Sequence, residues 1–322
     1  MNVTTLGILA GCGLDLLLGD PHWLYHPVRL IGKLISGLEK DLRNLFPRTK
    51  GGERAGGILL AILTVSLTAA SVRIILWAGE KGGSVSHFFL VALLSYFLLA
   101  ARSLRDESMK VYWELRKGNL QGARRAVSMI VGRDTQDLTT EGVTKAAVET
   151  VAENASDGVI APLFYLAIGG PVLGWAYKAV NTMDSMVGYR NDRYRWFGTA
   201  SAVLDDILNF IPARISGILM TICAGICGFD RKNAWRIFLR DRYNHASPNS
   251  AQTESAMAGA LNLQLAGDAY YFGKLVKKKT IGDPDRAIEP EDIRRANRLM
   301  LSASAVAAGI FLCARVLLCD LY

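Results

Sequence analysis

The 322-residue sequence lacks the short motifs by which most nucleotide-binding enzymes are recognised. Its closest approach to a phosphate loop, Gly267 to Lys274, has one residue too many between the glycines. Leu275 stands where such a loop needs a metal-binding Ser or Thr. A dinucleotide fingerprint and a serine-nucleophile elbow are also missing. Any nucleotide would therefore have to be held by carboxylate-bound Mg²⁺ and by scattered basic side chains.

The sequence is also poor in the residues of soft-metal sites, with five cysteines and four histidines. The cysteines all lie in or beside apolar segments, where they resemble small core residues. Cys223 and Cys227 share a helix face, but no histidine or further cysteine lies near them in the sequence. We therefore expect neither disulfides nor a cysteine-based metal site.

Hydrophobic residues, by contrast, make up 51% of the chain, although 20% of it is charged. Apolar segments that alternate with polar loops predict an all-α, polytopic integral membrane protein, organised as one membrane-embedded domain over residues 1–322. Four segments approach the roughly 20 apolar residues that span a bilayer: Gly56 to Ala78, Ser86 to Ala101, Gly158 to Val180, and Ile207 to Cys227. Two weaker segments are Asn2 to Leu18, interpreted as an uncleaved first helix, and Met300 to Leu318.

The net charge of +8 is concentrated in three polar regions, 29–54, 102–145 and 231–298. The positive-inside rule places these regions in the cytoplasm. This predicts a multi-pass protein of the cytoplasmic (inner) membrane whose active site faces the cytoplasm. Because the basic residues are spread along loops beside apolar segments, they favour membrane lipid or anionic substrates as partners over nucleic acid.

One polar loop, residues 181–201, would be forced outside if both flanking apolar segments crossed the membrane fully. Gly169-Gly170-Pro171 in the first segment, and Pro212 with Arg214 in the second, are positioned to break them into half-helices. Broken helices are tolerated at membrane depth where they line a cavity. The sequence therefore predicts broken helices around an inward-facing cavity.

The most informative polar feature is an acidic stripe, Glu149, Glu153 and Asp157, immediately before an apolar segment. Residues four apart share one face of a helix, provided that the helix reaches Asp157. Carboxylates at a bilayer edge are costly unless they face a cavity, a cation or a basic partner. The stripe is therefore a candidate site, and pairing of Lys145 with Glu149 on a solvated face is the alternative.

Further polar constellations lie before and after this stripe. Gly19-Asp20-Pro21 and His26-Pro27-Val28 follow the first helix and form a turn that is either functional or only a helix exit. The stretch 132–135, Gly-Arg-Asp-Thr, precedes the stripe. Asn181 and Asp184 share a helix face as oxygen ligands or as part of a capped helix end. They are followed by Tyr189, Arg190, Asp205, Asp206 and Asn209.

The last constellation runs from His245 to Ser250, with Glu254 beyond it. Ser247 before Pro248 predicts a rigid turn. His245 is a proton carrier or phosphate contact, unless it is simply structural. The basic run at 277–279 reads as a solvated or lipid-facing face, and no chemistry is assigned to it.

Taken together and in this order, these constellations resemble the adenosylcobinamide-phosphate synthase family of cobalamin biosynthesis, known as CbiB or CobD. The resemblance covers nearly the whole chain, with one departure: Ala251 stands where the family typically has glycine. It implies that the propionate carboxyl of adenosylcobyric acid is joined to the amine of an aminoalcohol phosphate, such as aminopropanol phosphate or ethanolamine phosphate. The reaction would use ATP and Mg²⁺ and pass through an acyl phosphate.

Residue roles follow from the resemblance as expectations. Catalysis is expected from Glu149, Glu153, Asp184 and His245. Mg²⁺ is expected on Glu149, Glu153, Asp157 and Asp184, and phosphate on Arg190 and His245, while Asn181 and Asn249 would position substrate. The full set of expected substrate contacts is Asp20, His26, Arg133, Asn154, Asn181, Tyr189, Arg190, Asp205, Asp206, Arg214, Ser247, Asn249 and Glu254.

Two other functions stay open from the sequence. Asn181 and Asp184 imitate the spaced Mg²⁺-diphosphate ligands of membrane prenyl or phosphoalcohol transferases, although a second similar motif is lacking. Broken helices are also typical of transporters, although no convincing internal repeat is present. The sequence leaves open a homo-oligomer and the identity of the aminoalcohol phosphate.

Overall fold

A computed structural model describes residues 2–21, 23–189, 191–271 and 273–317. These ranges are predominantly helical with very little sheet, which confirms the all-α prediction. The helices are α1 (Val3–Leu18), α2 (Val28–Leu45), α3 (Lys50–Lys81), α4 (Ser84–Tyr96), α5 (Ala101–Arg116), α6 (Leu120–Ser128), α7 (Thr140–Asn154), α8 (Ala161–Val187), α9 (Thr199–Ile226), α10 (Arg231–Asp241), α11 (Ser250–Leu261) and α12 (Glu291–Arg315). A π-helical segment, Ala155–Ile160, joins α7 to α8.

Four short strands lie between α11 and α12: β1 (Leu265–Ala266), β2 (Ala269–Tyr271), β3 (Lys274–Val276) and β4 (Thr280–Ile281). β1 pairs antiparallel with β4, and β2 pairs antiparallel with β3. In the chain, the β2–β3 hairpin therefore lies between the two strands of the β1–β4 pair.

Five helical stretches are long and apolar enough to cross a membrane, which confirms the polytopic prediction. They are Lys50–Lys81, Ser84–Arg116, Thr140–Val187, Thr199–Ile226 and Glu291–Arg315. α1 is also apolar, but its 16 residues are fewer than the roughly 20 that span a bilayer. Asn2 is the N-cap of α1, and its side chain accepts a hydrogen bond from the Thr5 amide.

α8 is broken where the sequence predicts it. Gly169 and Gly170 leave helical geometry, and Gly170 adopts φ +61°, a conformation that disfavours side chains larger than hydrogen. The rings of Tyr165 and Tyr177 stack with centroids 4.8 Å apart. A continuous helix would separate them by about 18 Å along its axis. The chain therefore folds back into two antiparallel half-helices.

The buried side chain of Arg315 stabilises the turn between these two half-helices. Its guanidinium donates to the carbonyl of Ala167 at 2.8 Å and to that of Leu166 at 3.3 Å. These carbonyls end the first half-helix and have no partner along the chain. The buried arginine thus caps a helix that stops inside an apolar region.

The predicted break at Pro212 is wrong, because α9 continues through it from Thr199 to Ile226. A proline inside a helix leaves the carbonyl four residues earlier without its donor. Here that carbonyl belongs to Leu208, and the Tyr165 hydroxyl donates to it at 2.7 Å. The freed acceptor is satisfied by a side chain, so the helix need not end.

The chain forms two compact units that alternate along the sequence. The first unit comprises Met1–Ala100, Pro162–Asn209 and Ile310–Tyr322, and the second comprises Ala101–Ala161 and Phe210–Gly309. In the first unit α1 packs against α4 through Gly7 and Gly11, where an added Cβ would collide with Val91 and Ser95. The expectation of a single membrane-embedded domain stays a prediction.

The core of the second unit is α11, all of whose residues are buried. α10 packs closely on α11 at Gly259, whose missing Cβ leaves room for the backbone of Asn233 and Ala234. Asp241 at the end of α10 accepts two hydrogen bonds from Arg240 and one from the Gly282 amide at 2.8 Å. The segment that follows β4 is thereby fixed beside α11.

Candidate functional site

The second unit contains a cavity of about 200 Å³ between α7, α11 and the strands. Its lining is unusual for an α-helical core because ionisable side chains dominate it. Six residues that the sequence predicts for the site meet here, although they come from three separate stretches of the chain: Arg133, Glu149, Glu153, Asn154, His245 and Glu254. The structure therefore brings together the Gly-Arg-Asp-Thr stretch, the acidic stripe and the histidine constellation.

Glu149 is held in place by other groups of the protein. One of its oxygens accepts a short hydrogen bond from the Arg133 guanidinium. The other accepts from the Ala266 amide at 2.6 Å. Both oxygens of this buried carboxylate are thus engaged, and Glu149 serves to fix Arg133 and β1 at the cavity wall. Glu149 therefore pairs with Arg133 and not with Lys145, the alternative considered from the sequence.

Glu153 and Glu254 provide the acidic side of the cavity. Ser250, at the start of α11, donates to the Oε1 atom of Glu153 at 2.8 Å. Glu254 is only 5% exposed, and its Oε2 atom has no hydrogen-bond partner. Burial, reinforced by the negative charges of Glu153 and Glu149, raises the pKa of Glu254 well above its ordinary value. A buried acceptor without a donor is rare in folded proteins and points to a ligand.

His245 is oriented by the turn that the sequence predicts around Pro248. The Ser247 amide donates to Nδ1 of His245 at 3.1 Å, and the Ser247 hydroxyl accepts from the Asn249 amide at 3.2 Å. Since Nδ1 accepts, the neutral ring carries its proton on Nε2. Burial lowers the pKa of His245. The ring is therefore suited to donate one hydrogen bond from Nε2 while uncharged.

Lys278 and Tyr271 also line the cavity, and sequence reasoning missed both. Lys278 Nζ donates to the Tyr271 hydroxyl at 2.6 Å and lies 4.7 Å from the centroid of its ring. Lys277 and Lys279 are exposed, whereas Lys278 is partly buried. The three lysines lie between β3 and β4, and only the fold of this segment distinguishes them, so no sequence signal could have done so.

Asp134 fastens the β2–β3 hairpin over the cavity. Its amide donates to the Tyr270 carbonyl at 2.9 Å, and its carboxylate accepts from the Gly273 amide at 2.7 Å. A second cavity, of about 780 Å³, lies on the other side of the hairpin and shares Arg133 in its lining. Arg133 is therefore common to a small polar cavity and a larger one.

Two members of the acidic stripe, Glu149 and Glu153, line the cavity, but Asp157 does not. α7 ends at Asn154, and Asp157 lies in the π-helical segment that follows it. The expectation that Asp157 shares the face of the two glutamates stays a prediction. The side-chain amide of Asn154 donates to the Thr150 carbonyl at 3.0 Å.

The first unit contains the remaining predicted residues, apart from Arg214, Ser247 and Asn249. Asp205 accepts hydrogen bonds from Asn209 at 2.9 Å and from Asn181 at 3.4 Å. Asn209 in turn accepts from the Tyr177 hydroxyl at 2.8 Å. Asp184 and Asp206 are partly buried, Tyr189 is exposed, and Arg190 lies outside the described residues. Asp184 thus belongs to a different unit from Glu149 and Glu153.

His26 repeats the arrangement of His245 in the first unit. The Val28 amide donates to its Nδ1 atom at 3.2 Å, and its Nε2 atom lies 3.7 Å from the Asp20 carboxylate. Burial lowers the pKa of His26 in spite of this neighbour. In the second unit, Arg214 donates to the Asn249 side chain at 3.2 Å.

Within the second unit, the carboxylates predicted for Mg²⁺, Glu149, Glu153 and Asp157, do not assemble into a metal centre. Among the described residues, no group of three or more His, Cys, Asp or Glu side chains is arranged to hold a metal ion. Both oxygens of Glu149 are already engaged by donors. The residues present therefore do not fit a dedicated protein site for Mg²⁺, which normally requires near-octahedral oxygen coordination.

The fold and the cavity define a polytopic helical membrane protein with a buried cavity lined by ionisable side chains. The chain matches the CobD/Cbib protein family over residues 8–300, and it belongs to this family. It is 52% identical over 303 residues to the cobalamin biosynthesis protein CobD of Geobacter metallireducens, covering 93% of each chain. It is 44% identical to CobD of Clostridium perfringens, over 97% of this chain and 98% of the relative.

A relative named CbiB is equally similar. The cobalamin biosynthesis protein CbiB of Salmonella typhi is 44% identical over 311 residues, covering 96% of this chain and 97% of the relative. No solved structure matches the chain. These relatives support a role in cobalamin biosynthesis and confirm the family resemblance of the sequence motifs.

Proposed function

We propose that the protein is an adenosylcobinamide-phosphate synthase, which condenses adenosylcobyric acid with an aminoalcohol phosphate in an ATP- and Mg²⁺-dependent reaction. The observation that carries this proposal is the meeting of the family's separated motifs in one buried cavity that contains both carboxylates and cations. Amide formation between two charged substrates needs groups of both signs close together. A transporter has no comparable need for this set.

The proposed reaction has two steps. A propionate oxygen of the corrinoid attacks the γ-phosphorus of ATP, which gives an acyl phosphate and ADP. The amine of the aminoalcohol phosphate then attacks the acyl carbon, phosphate leaves, and the nitrogen loses its extra protons. Arg133 and Lys278 can stabilise the negative charge on phosphate groups during these steps, because charge-assisted hydrogen bonds are the strong ones.

The two cavities suit two of the substrates by size. The larger one, of about 780 Å³, falls in the range of cavities that hold drug-sized and nucleotide ligands. Lys145 and Arg133 line it and would contact the phosphates of ATP. Mg²⁺ would enter with the nucleotide, since this ion is usually bound through substrate phosphates and only one or two carboxylates. No catalytic step is assigned to it.

The reaction is tested with purified protein in detergent. Adenosylcobyric acid, ATP, Mg²⁺ and either aminopropanol phosphate or ethanolamine phosphate are incubated with the protein, and the corrinoid is analysed by mass spectrometry. We expect a corrinoid heavier by the aminoalcohol phosphate minus water, with ADP formed in equal amount. Omission of ATP should abolish formation of this corrinoid product. Absence of this product with both aminoalcohol phosphates would reject the proposed function.

A further inference from the structure

The 200 Å³ cavity has two chemically different sides. Glu153 and Glu254 provide carboxyl groups on one side, and Lys278 with the Tyr271 hydroxyl provides a cation and a hydroxyl on the other. The charge of Lys278 acts on both His245 and Glu254, so these groups face a common space. Such a cavity matches a small molecule that carries a positive and a negative group.

The geometry points to this cavity as the binding site of the aminoalcohol phosphate, with its ammonium group on Glu254 and Glu153 and its phosphate on Lys278. This assignment rests on the proposed function. His245 donates from Nε2 to the phosphate, consistent with its Nδ1 atom being occupied by the Ser247 amide. Lys278, which lies in an unremarkable run of lysines, becomes the residue that selects phosphorylated over free aminoalcohols.

The acidic side fits an ammonium group better than a metal ion. An ammonium donates three hydrogen bonds and needs three acceptors. The free Oε2 atom of Glu254, the carboxylate of Glu153 and the hydroxyl of Thr150 line the cavity as acceptors. The third carboxylate, Glu149, is already committed to Arg133 and the Ala266 amide. These side chains alone do not supply the near-octahedral set of oxygens that a dedicated Mg²⁺ site would need.

Glu254 also supplies what the amine needs before it can react. The ammonium must give up one proton to become a nucleophile, and Glu254 accepts this proton as its carboxylate becomes a carboxylic acid. Burial raises the pKa of Glu254, which favours uptake of such a proton by its carboxylate. Glu254 therefore contacts the reacting nitrogen and acts as its general base.

Binding of ethanolamine phosphate to the purified protein, in detergent and without corrinoid or ATP, tests the assignment by calorimetry. Ethanolamine and ethyl phosphate serve as probes that each lack one charged group. We expect each probe to bind at least about tenfold more weakly than ethanolamine phosphate, as the loss of one charge-assisted hydrogen bond predicts. Equal affinity for all three compounds would overturn the inference.

Two substitutions should separate the two sides of the cavity. Lys278→Gln should weaken the binding of ethanolamine phosphate about tenfold or more and leave the binding of ethanolamine unchanged. Glu254→Gln should weaken the binding of ethanolamine phosphate and leave the binding of ethyl phosphate unchanged. Lys277→Gln and Lys279→Gln are matched controls because these neighbouring lysines are exposed, and both should bind like the unmodified protein. If all three lysine variants behave alike, Lys278 has no special role.

Glu254→Gln keeps the size and hydrogen-bonding shape of the protonated acid, so it should fold, and a thermal melt checks this. Titration with Mg²⁺ alone provides the competing outcome: binding that Glu254→Gln abolishes would identify a metal site and overturn the ammonium assignment. The condensation assay distinguishes failure of this inference from failure of the proposed function. Product formation that survives Lys278→Gln with unchanged KM rejects the inference alone, whereas ligand binding without any product rejects the proposed function alone.

Discussion

Each of the two units contains a buried polar cluster, one around Asp205 and one around Glu254, yet the clusters differ in how far they satisfy their own hydrogen bonds. In the first unit, Asp205 accepts from two asparagines, and Asn209 also accepts from Tyr177. In the second, the Oε2 atom of Glu254 has no donor. A cluster that completes its own hydrogen bonds stabilises the fold, whereas an incomplete one is suited to a ligand.

The largest effect is expected at the buried pair in the second unit. Glu149→Gln leaves the Arg133 guanidinium without its carboxylate, and removal of one partner of a buried pair costs about 3–5 kcal/mol. We expect a large fall in Tm measured in detergent, together with loss of condensation. The double variant Arg133→Met with Glu149→Gln should be less destabilised than the sum of the two single variants.

Asp106→Asn is the control for this prediction. Asp106 also pairs with an arginine, Arg102, but on the exposed surface of α5. Exposed pairs contribute about 0–1 kcal/mol, so its Tm should hardly change. If Glu149→Gln and Asp106→Asn shift Tm equally, the Arg133–Glu149 pair does not organise the cavity.

The self-satisfied cluster of the first unit should respond in stability and not in small-ligand binding. Asn209→Leu removes one hydrogen bond to Asp205 and one to Tyr177, and each lost hydrogen bond costs about 0.5–1.5 kcal/mol. Tyr177→Phe breaks only one of these bonds and should lower Tm less. An unchanged Tm for Asn209→Leu would contradict the view that this cluster is structural.

Much of the architecture is predictable from local sequence. Apolar length identifies the long helices, and Gly169-Gly170-Pro171 identifies the break, because a glycine tolerates φ +61° and a proline cannot continue the ladder. Pro212 misleads for a reason that is not local. The hydroxyl of Tyr165 satisfies the carbonyl that this proline leaves without a donor, and the sequence does not reveal that contact.

The candidate site is predictable in its residue types and less so in their roles. The motifs indicate Glu149, Glu153 and His245, but not which oxygens are already engaged. Asp157 lies in a π-helical segment, where α-helical spacing no longer applies, so spacing alone does not assign it to the cavity. Lys278 lines the cavity beside Tyr271 of β2, a placement that depends on the fold of the strand segment and that sequence periodicity cannot encode.

The incomplete cluster should also reveal itself in the pH dependence of stability. The ionised form of Glu254 is disfavoured by burial, so its folded pKa lies above the unfolded value. Its contribution to stability is therefore full below the unfolded pKa and is lost as pH rises through the folded pKa. The difference in Tm between the unmodified protein and Glu254→Gln should shift in favour of the variant as pH increases.

Melting curves of both proteins across a pH series give this difference directly, and the comparison cancels the other groups that face Glu254, namely Glu149, Glu153, Lys278, Arg133 and His245. A difference in Tm that stays constant with pH would contradict the buried, unpaired state of Glu254. Added ethanolamine phosphate should reduce the dependence, because an ammonium partner favours the carboxylate.

The smallest expected effect is an absence of labelling, and it tests on which side of the membrane the two clusters lie. In a cysteine-free background, cysteines replace the exposed residues Ser185, beside the first cluster, and Ala246, beside the second. The positive-inside rule predicts that an impermeant thiol reagent added outside the cell reaches neither. Ser84→Cys, at the exposed first residue of α4 next to the short link from α3, should be labelled from outside and serves as control. After permeabilisation all three should react, so protection of Ser185→Cys and Ala246→Cys in intact cells reflects topology. Labelling of Ser185→Cys alone would place the first cluster on the side opposite to the nucleotide and confine the chemistry to the second unit.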